Sequence, residues 1–125
     1  MNLINTKFEK KNIYIIELNN PKKRNPLSLE LIKSLQNEFD FIKKNKEIKA
    51  VIIQSTGPSF SAGHDLTEVR KSAKSQLKLL NLFKACSKMM LSIRYLPQPV
   101  IACVDGIAAA AGCQLVASCD LAFAS

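Results

Sequence analysis

With 125 residues, 47% of them hydrophobic, and only 4 glycines and 5 prolines, the chain is long enough for one domain and too apolar to be disordered. Its net charge of +8 suits an anionic partner, such as a phosphorylated small molecule, nucleic acid or a membrane surface, but a merely solvated basic surface explains the charge equally well. Polar residues Asp105, Gln114 and Asp120 interrupt the longest apolar stretch, which excludes a membrane span. The first residues match neither a signal nor a transit peptide, so we expect a cytoplasmic protein.

The first half of the chain alternates strand and helix patterns. Residues 13–18 are short, β-branched and followed by a turn sequence, which predicts a strand. Ser28 then offers an N-cap, and apolar residues recur at helical spacing at positions 31, 32, 35, 39 and 42. Residues 50–54 form a continuous apolar run, which is typical of a strand buried on both faces. The order strand, helix, strand predicts a parallel sheet.

The second half continues this alternation. A loop precedes a long, partly helical segment, whose apolar stripe we assign to Leu77, Leu80, Phe83, Met90 and Ile93. Residues 100–104 predict a second buried strand, residues 113–118 a short helix and residues 120–124 another strand. Because the chain stops inside this alternation, we expect a truncated domain with unpaired sheet edges and an open apolar face.

The cysteines predict neither a disulfide framework nor a metal site. All four lie among apolar residues, none forms a C-x-x-C pair, and His64 is the only histidine. Zinc requires several nitrogen or sulfur ligands that converge at close spacing. We therefore expect no bound metal and four buried free thiols, at Cys86, Cys103, Cys113 and Cys119.

Two loops that follow predicted buried strands are candidates for a ligand site. Residues 60–66 follow one strand, residues 106–114 follow the next, and both segments carry small residues. In parallel α/β sheets, ligands bind beyond the strand ends, where helix N-termini present unpaired N–H groups. Two such groups could converge on one carbonyl oxygen and stabilise an oxyanion. Tight helix–sheet packing explains the small residues equally well, so spacing alone leaves both interpretations open.

Three segments, in order and at fitting intervals, resemble motifs of the crotonase, or enoyl-CoA hydratase/isomerase, superfamily. Residues 60–66 (FSAGHDL) resemble its "F-[SA]-A-G-x-D-[LI]" motif. Residues 99–106 (PVIACVDG), followed by 110–113 (AAGC), resemble its second motif, and residues 20–28 resemble its N-terminal segment. The resemblance covers essentially the whole chain. It implies an α/β crotonase-like spiral of β-β-α repeats, with residues 1–125 as the N-terminal part of a single domain.

The same resemblance implies an acyl-CoA thioester as the partner. Coenzyme A would be part of the substrate, so no separate cofactor is expected. The backbone N–H groups of His64 and Ala111 would form the oxyanion hole, and main-chain groups of Ala62 and Leu66 would hold the adenine. It further implies a homotrimer or hexamer.

Charged residues near the two motifs have additional expected roles. In relatives, the segment that contains Arg24, together with Lys22 and Lys23, runs close to the coenzyme A phosphates, although a solvated basic turn explains these residues equally well. Asp65 is expected to contribute to substrate binding indirectly, since as an N-cap it would fix the loop that holds the substrate. The imidazole of His64 is not expected to act as a base, because this motif position works through its backbone.

Gln114 occupies the position at which hydratases of this family carry a glutamate. A glutamine amide cannot exchange a proton near neutral pH, but it can orient a water or a thioester by hydrogen bonding. This difference argues against two-carboxylate hydration and leaves weaker hydration, isomerisation, thioester hydrolysis and non-catalytic acyl-CoA binding open. RNA binding is a third hypothesis that we disfavour, since the chain is only 6% aromatic and has no basic stripe.

Overall fold

Seven strands and four α-helices make up most of residues 2–125, which are the residues that the computed structural model describes. The strands are β1 (Ile4–Glu9), β2 (Ile13–Leu18), β3 (Ala50–Ser55), β4 (Ser59–Ser61), β5 (Val100–Val104), β6 (Ile107–Ala108) and β7 (Leu121–Ala124). The helices are α1 (Leu29–Lys44), α2 (Leu66–Ser72), α3 (Gln76–Tyr95) and α4 (Ala111–Ser118). Pairs of strands thus alternate with helices, which is the β-β-α order implied by the resemblance.

The strands form two sheets. The larger sheet has the order β1-β2-β3-β5-β7, in which β1 is antiparallel to β2 and all other pairs are parallel. The smaller sheet pairs β4 with β6, also in parallel. From β3 onward, each turn of the chain adds one strand to the large sheet and the next strand to the small one. The chain therefore winds as a spiral, and the small sheet places the two candidate loops side by side.

Helix α1 forms as its sequence predicts. The Ser28 hydroxyl accepts a hydrogen bond from the Leu31 N–H at 3.2 Å, and Glu30 lies in the first turn, where a negative charge favours the helix. All five apolar positions of the predicted stripe are buried: Leu31, Ile32, Leu35, Phe39 and Ile42. These side chains pack with the buried side chains of α3 and one face of the large sheet, and together they form the core.

The prediction that the central strands are buried on both faces is wrong. In β3, Val51 and Ile53 are fully buried, whereas Ile52 and Gln54 between them are only partly buried. Side chains alternate across a strand, and α1 and α3 cover only the face that carries Val51 and Ile53. At the edge of the same sheet, Phe123 of β7 is 62% exposed.

The apolar stripe predicted for α3 is largely on the wrong side of the helix. Leu77, Leu80 and Phe83 are exposed, and the buried residues are Leu82, Cys86, Met89 and Ile93. Both sets fit helical spacing, so contact with α1 and the sheet, rather than periodicity, decides which face is buried. Only Ile93 of the predicted stripe is buried, and Met89, which lies outside that stripe, fills the core.

The expected burial of all four thiols is confirmed only for Cys86. Every cysteine is free, but Cys103 and Cys119 are partly buried and Cys113 is exposed on the outward face of α4. Burial raises the pKa of Cys86, and burial together with the Asp120 carboxylate raises the pKa of Cys119 to about 12. Within residues 2–125, no three His, Cys, Asp or Glu side chains form a group that could hold a metal ion. No helix in that range has the length and apolar composition needed to cross a membrane.

Candidate functional site

The two candidate loops meet because β4 and β6 are paired. We call residues 61–64 the first arm and residues 109–112 the second arm. The Ala109 N–H donates to the Ser61 carbonyl at 3.0 Å and joins the two arms. A Cβ added at Gly63 would lie 3.2 Å from the Ala111 nitrogen, and one added at Gly112 would overlap the Ser61 carbonyl oxygen. Glycine at both positions thus allows the two backbones to approach closely, so the small residues serve packing and also shape the site.

The first arm is held by the turn that precedes α1. The Leu27 N–H donates to the Gly63 carbonyl at 2.7 Å, and the Ala62 N–H donates to the Arg24 carbonyl at 2.9 Å. The Ser61 hydroxyl donates to the Asn25 carbonyl at 2.8 Å. These three bonds connect residues 24–27 to Ser61, Ala62 and Gly63 but leave the His64 N–H without an acceptor among the described residues.

Asn25 supports this arrangement, although no sequence pattern predicts a role for its side chain. It is fully buried, and its Oδ1 accepts the Asn20 N–H at 2.7 Å. Its Nδ2 donates to the carbonyls of Thr56 and Ser59, at 3.0 and 3.1 Å. Its φ of 50° lies in the left-handed region, which asparagine tolerates better than most residues. The only available signal was its position within the segment that resembles the N-terminal motif.

The site contains two unpaired backbone donors. Among the hydrogen bonds of residues 2–125, neither the His64 N–H nor the Ala111 N–H has an acceptor. Ala111 is buried and is the first residue of α4, where the helix dipole favours a negative group. Ala110 before it adopts φ 51° and ψ −122°, a strained conformation for a residue with a Cβ. Two such donors on touching arms can bind one oxygen atom, most strongly when that oxygen is negatively charged.

The surroundings of the His64 side chain do not favour a role as a general acid or base. Its ring packs edge-on against the Phe83 ring of α3, with 5.2 Å between the ring centroids. Its Nδ1 is buried and has no hydrogen-bond partner among the described residues. A general base usually needs a group that orients it, and no carboxylate within residues 2–125 accepts a hydrogen bond from this imidazole.

A groove of about 680 Å³ runs beside the first arm, and four predicted site residues line it: Ala62, His64, Asp65 and Leu66. Lys23 and Lys71 also line the groove, and no sequence motif points to Lys71. Arg24 is not among the lining residues; its side chain is exposed, and its carbonyl accepts the Ala62 N–H. The groove therefore presents basic side chains next to the free donor of His64.

Asp65 and Gln114 differ in how they relate to this groove. The Asp65 carboxylate accepts the N–H groups of Thr67 and Glu68 at 3.0 and 3.3 Å, which confirms that it is the N-cap of α2. Gln114 is exposed, one turn along α4 from Ala111, and it borders a separate groove of about 520 Å³ shared with Arg94. The structure therefore brings the arms together with Asp65 and leaves the Gln114 amide outside the first groove.

Comparison with known proteins decides the family. The family model described as enoyl-CoA hydratase/isomerase matches residues 8–125. The chain belongs to the enoyl-CoA hydratase/isomerase family. It is 52% identical over 110 residues to human enoyl-CoA hydratase domain-containing protein 3, mitochondrial, and 51% identical to the Danio rerio protein of the same name. Those alignments cover 88% of this chain, which spans 36% and 38% of the two relatives. The sequences of residues 60–66 and 110–122 also resemble the subgroup called enoyl-CoA hydratase domain-containing protein 3, and these identities confirm that resemblance.

Solved structures of this family share the fold. The crystal structure of enoyl-CoA hydratase from Mycobacterium smegmatis matches 99% of this chain with a TM-score of 0.96 and 40% identity. The structure of human enoyl-CoA hydratase domain-containing protein 3 matches 98% of it with a TM-score of 0.91 and 46% identity. The chain spans 48% of each of those structures. The predicted crotonase-like α/β fold is thereby confirmed.

Proposed function

We propose that this chain binds an acyl-CoA thioester and stabilises its enolate between the backbone N–H groups of His64 and Ala111. The observation that supports this function is the pair of unpaired donors on two arms in backbone contact. An enolate concentrates negative charge on the thioester oxygen, so these donors would favour the enolate over the neutral thioester. A single well-placed donor of this kind contributes about 3–4 kcal/mol to transition-state stabilisation.

The groove beside the first arm supports the coenzyme A part of the proposal. Lys23 and Lys71 line it, with Arg24 exposed nearby, and these cations suit the phosphates of coenzyme A. Because the Ala62 N–H is already bonded to Arg24, the proposed adenine contact at Ala62 uses its carbonyl oxygen. Leu66, 76% exposed at the rim of the groove, would supply the second main-chain contact.

The proposal can be tested by removing one backbone donor with proline. Ala111→Pro, made in an Ala110→Gly background, deletes the N–H at the first position of α4 without loss of an intrahelical bond. The glycine is needed because at ψ −122° the Cβ of Ala110 would collide with the proline ring, and Ala110→Gly alone is the reference. Gln76→Pro, at the first position of α3 and exposed, is the matched control. Acetoacetyl-CoA is a suitable probe, because its enolate absorbs in the near ultraviolet.

We expect the bound enolate to be roughly a hundredfold less favoured in Ala111→Pro and unchanged in Gln76→Pro. His64→Ala keeps the backbone donor, so its loss should be much smaller than that of Ala111→Pro. Equal enolate absorbance in Ala111→Pro and the Ala110→Gly reference would contradict the proposed oxyanion hole.

A second candidate function, non-catalytic acyl-CoA binding, is favoured by Gln114. The Gln114 amide cannot exchange a proton near neutral pH, and the side chain lies outside the groove that His64 borders. A Gln114→Glu variant of the complete chain, assayed with crotonyl-CoA, separates the two candidates. Hydration that appears only in the variant would support the non-catalytic function, whereas rapid hydration by the wild type would exclude it.

The cellular location and the oligomeric state of the protein stay predictions. The sequence predicts a cytoplasmic protein, whereas the names of the human and Danio rerio relatives place those proteins in mitochondria. The predicted trimer or hexamer is testable by analytical ultracentrifugation, in which a single monomeric species would contradict it.

A further inference from the structure

Helix α2 forms one wall of the groove but is weakly anchored. None of its residues is buried, and only Val69 packs, half-buried, against the core. Across residues 2–125, a single hydrogen bond connects α2 to the chain outside residues 65–75: the Leu29 N–H donates to Glu68 Oε1 at 2.8 Å. The position of this wall therefore depends on little apolar burial and on one polar contact.

That contact lies at the N-terminus of α1, which suits a carboxylate. The first N–H groups of a helix have no intrahelical acceptor, and the helix dipole favours a negative charge beside them. Ser28 satisfies the Leu31 N–H, and Glu68 satisfies the Leu29 N–H from another helix. Glu68 thus acts as an N-terminal cap for α1 that also ties α2 to it.

The same residues hold the chain on both sides of His64. On one side the Leu27 N–H donates to the Gly63 carbonyl, and on the other the Leu29 N–H donates to Glu68. Residues 27–29 and 63–68 therefore form a closed ring that includes His64 and that the Glu68 side chain completes. The ring restrains the backbone on both sides of the His64 N–H.

We propose that Glu68 is a positioning residue, which fixes the His64 N–H and the α2 wall of the groove by accepting the Leu29 N–H. This inference rests on the proposed function for its consequence, enolate stabilisation, but the hydrogen bond can be tested separately. Glu68 needs only an acceptor oxygen for this role, so it transfers no proton. Glu68→Gln keeps that oxygen, and Glu68→Ala removes it.

Two measurements on the complete chain test the proposal. The first is amide hydrogen exchange of residues 63–75, and the second is the near-ultraviolet absorbance of enolate formed from bound acetoacetyl-CoA at saturation. The matched control is Glu47→Ala, since Glu47 is exposed and its carboxylate has no hydrogen bond among the described residues. Because acetoacetyl-CoA is saturating, the absorbance reports the fraction of bound probe that is enolate and not the affinity of the protein for the probe.

For Glu68→Ala we expect roughly tenfold faster exchange, confined to residues 63–75, and a roughly tenfold lower ratio of bound enolate to neutral thioester. Glu68→Gln should lie close to the wild type, and Glu47→Ala should match it in both measurements. An increase in exchange spread over the whole chain would overturn the proposal, because Glu68 would then serve only stability. Unchanged exchange in Glu68→Ala would overturn it as well.

Failure of the proposed function gives a different result. If the wild type does not bind acetoacetyl-CoA, the oxyanion hole and the positioning role are both overturned, even where exchange shows that the Leu29–Glu68 bond exists. If the wild type forms enolate and Glu68→Ala forms the same amount, only the positioning role is overturned.

Discussion

Hydrogen bonds from a neighbouring turn hold the first arm in place, whereas the second arm is held mainly by close backbone contact. Residues 24–27 bond to Ser61, Ala62 and Gly63, and the buried Asn25 side chain adds three further bonds around them. The second arm has a single backbone bond to the first and depends on the glycine at position 112. The first arm should therefore be destabilised when a hydrogen-bond partner is deleted. The second arm should be destabilised when an atom is added between the two backbones.

The largest effect is expected from adding one methyl group to the second arm. In Gly112→Ala the new Cβ would overlap the Ser61 carbonyl oxygen and lie 3.0 Å from the carbonyl carbon. Because both are backbone atoms of a paired strand, the arms must separate, and we expect the free energy of unfolding to fall by about 3 kcal/mol. Urea denaturation measures this loss. Cys113→Ala, one residue further on and exposed, should change stability by less than about 0.5 kcal/mol.

Deleting the polar support of the first arm should have the next largest effect. Asn25→Ala removes all three side-chain hydrogen bonds, including the one to the buried Ser59 carbonyl, so we expect a loss of about 2 kcal/mol in the free energy of unfolding. Asn25→Asp should be at least as harmful at pH 7, since a carboxylate oxygen would then face the carbonyls of Thr56 and Ser59. Asn37→Ala, at an exposed position of α1, is the control. If the Asn25→Asp variant were as stable as the wild type, these carbonyls would need no donor.

The smallest predicted effect is a gain in stability. Ala110 adopts φ 51° and ψ −122°, a region that glycine enters without the penalty imposed by a Cβ. We expect Ala110→Gly to raise the free energy of unfolding by about 1 kcal/mol, although a glycine also costs entropy in the unfolded chain. Ala109→Gly is the control, because Ala109 is also exposed and has no positive φ. If both variants lose stability equally, the conformation of Ala110 is not strained.

The sequence by itself determined the features that depend on neighbouring residues. The Ser28 cap, the apolar stripe of α1 and the Asp65 cap of α2 each need a pattern within a few residues, and each was predicted correctly. Strands β2, β3 and β5 were also predicted within one residue of their bounds, because β-branched runs between turn residues specify them locally. The motif at residues 60–66 is likewise a short local pattern, and it contains the first arm.

Tertiary structure alone decided the features that depend on distant residues. Periodicity could not choose the buried face of α3, because two apolar stripes fit the same helix and only contact with α1 selects Leu82 and Met89. The short strands β4 and β6 have few residues of their own and exist because they pair with each other across a long stretch of the chain. The bonds of Asn25 to Thr56 and Ser59, and of Glu68 to Leu29, join residues that only the fold brings together. A pattern in one dimension does not encode such pairs, since their energy arises only when the chain is folded.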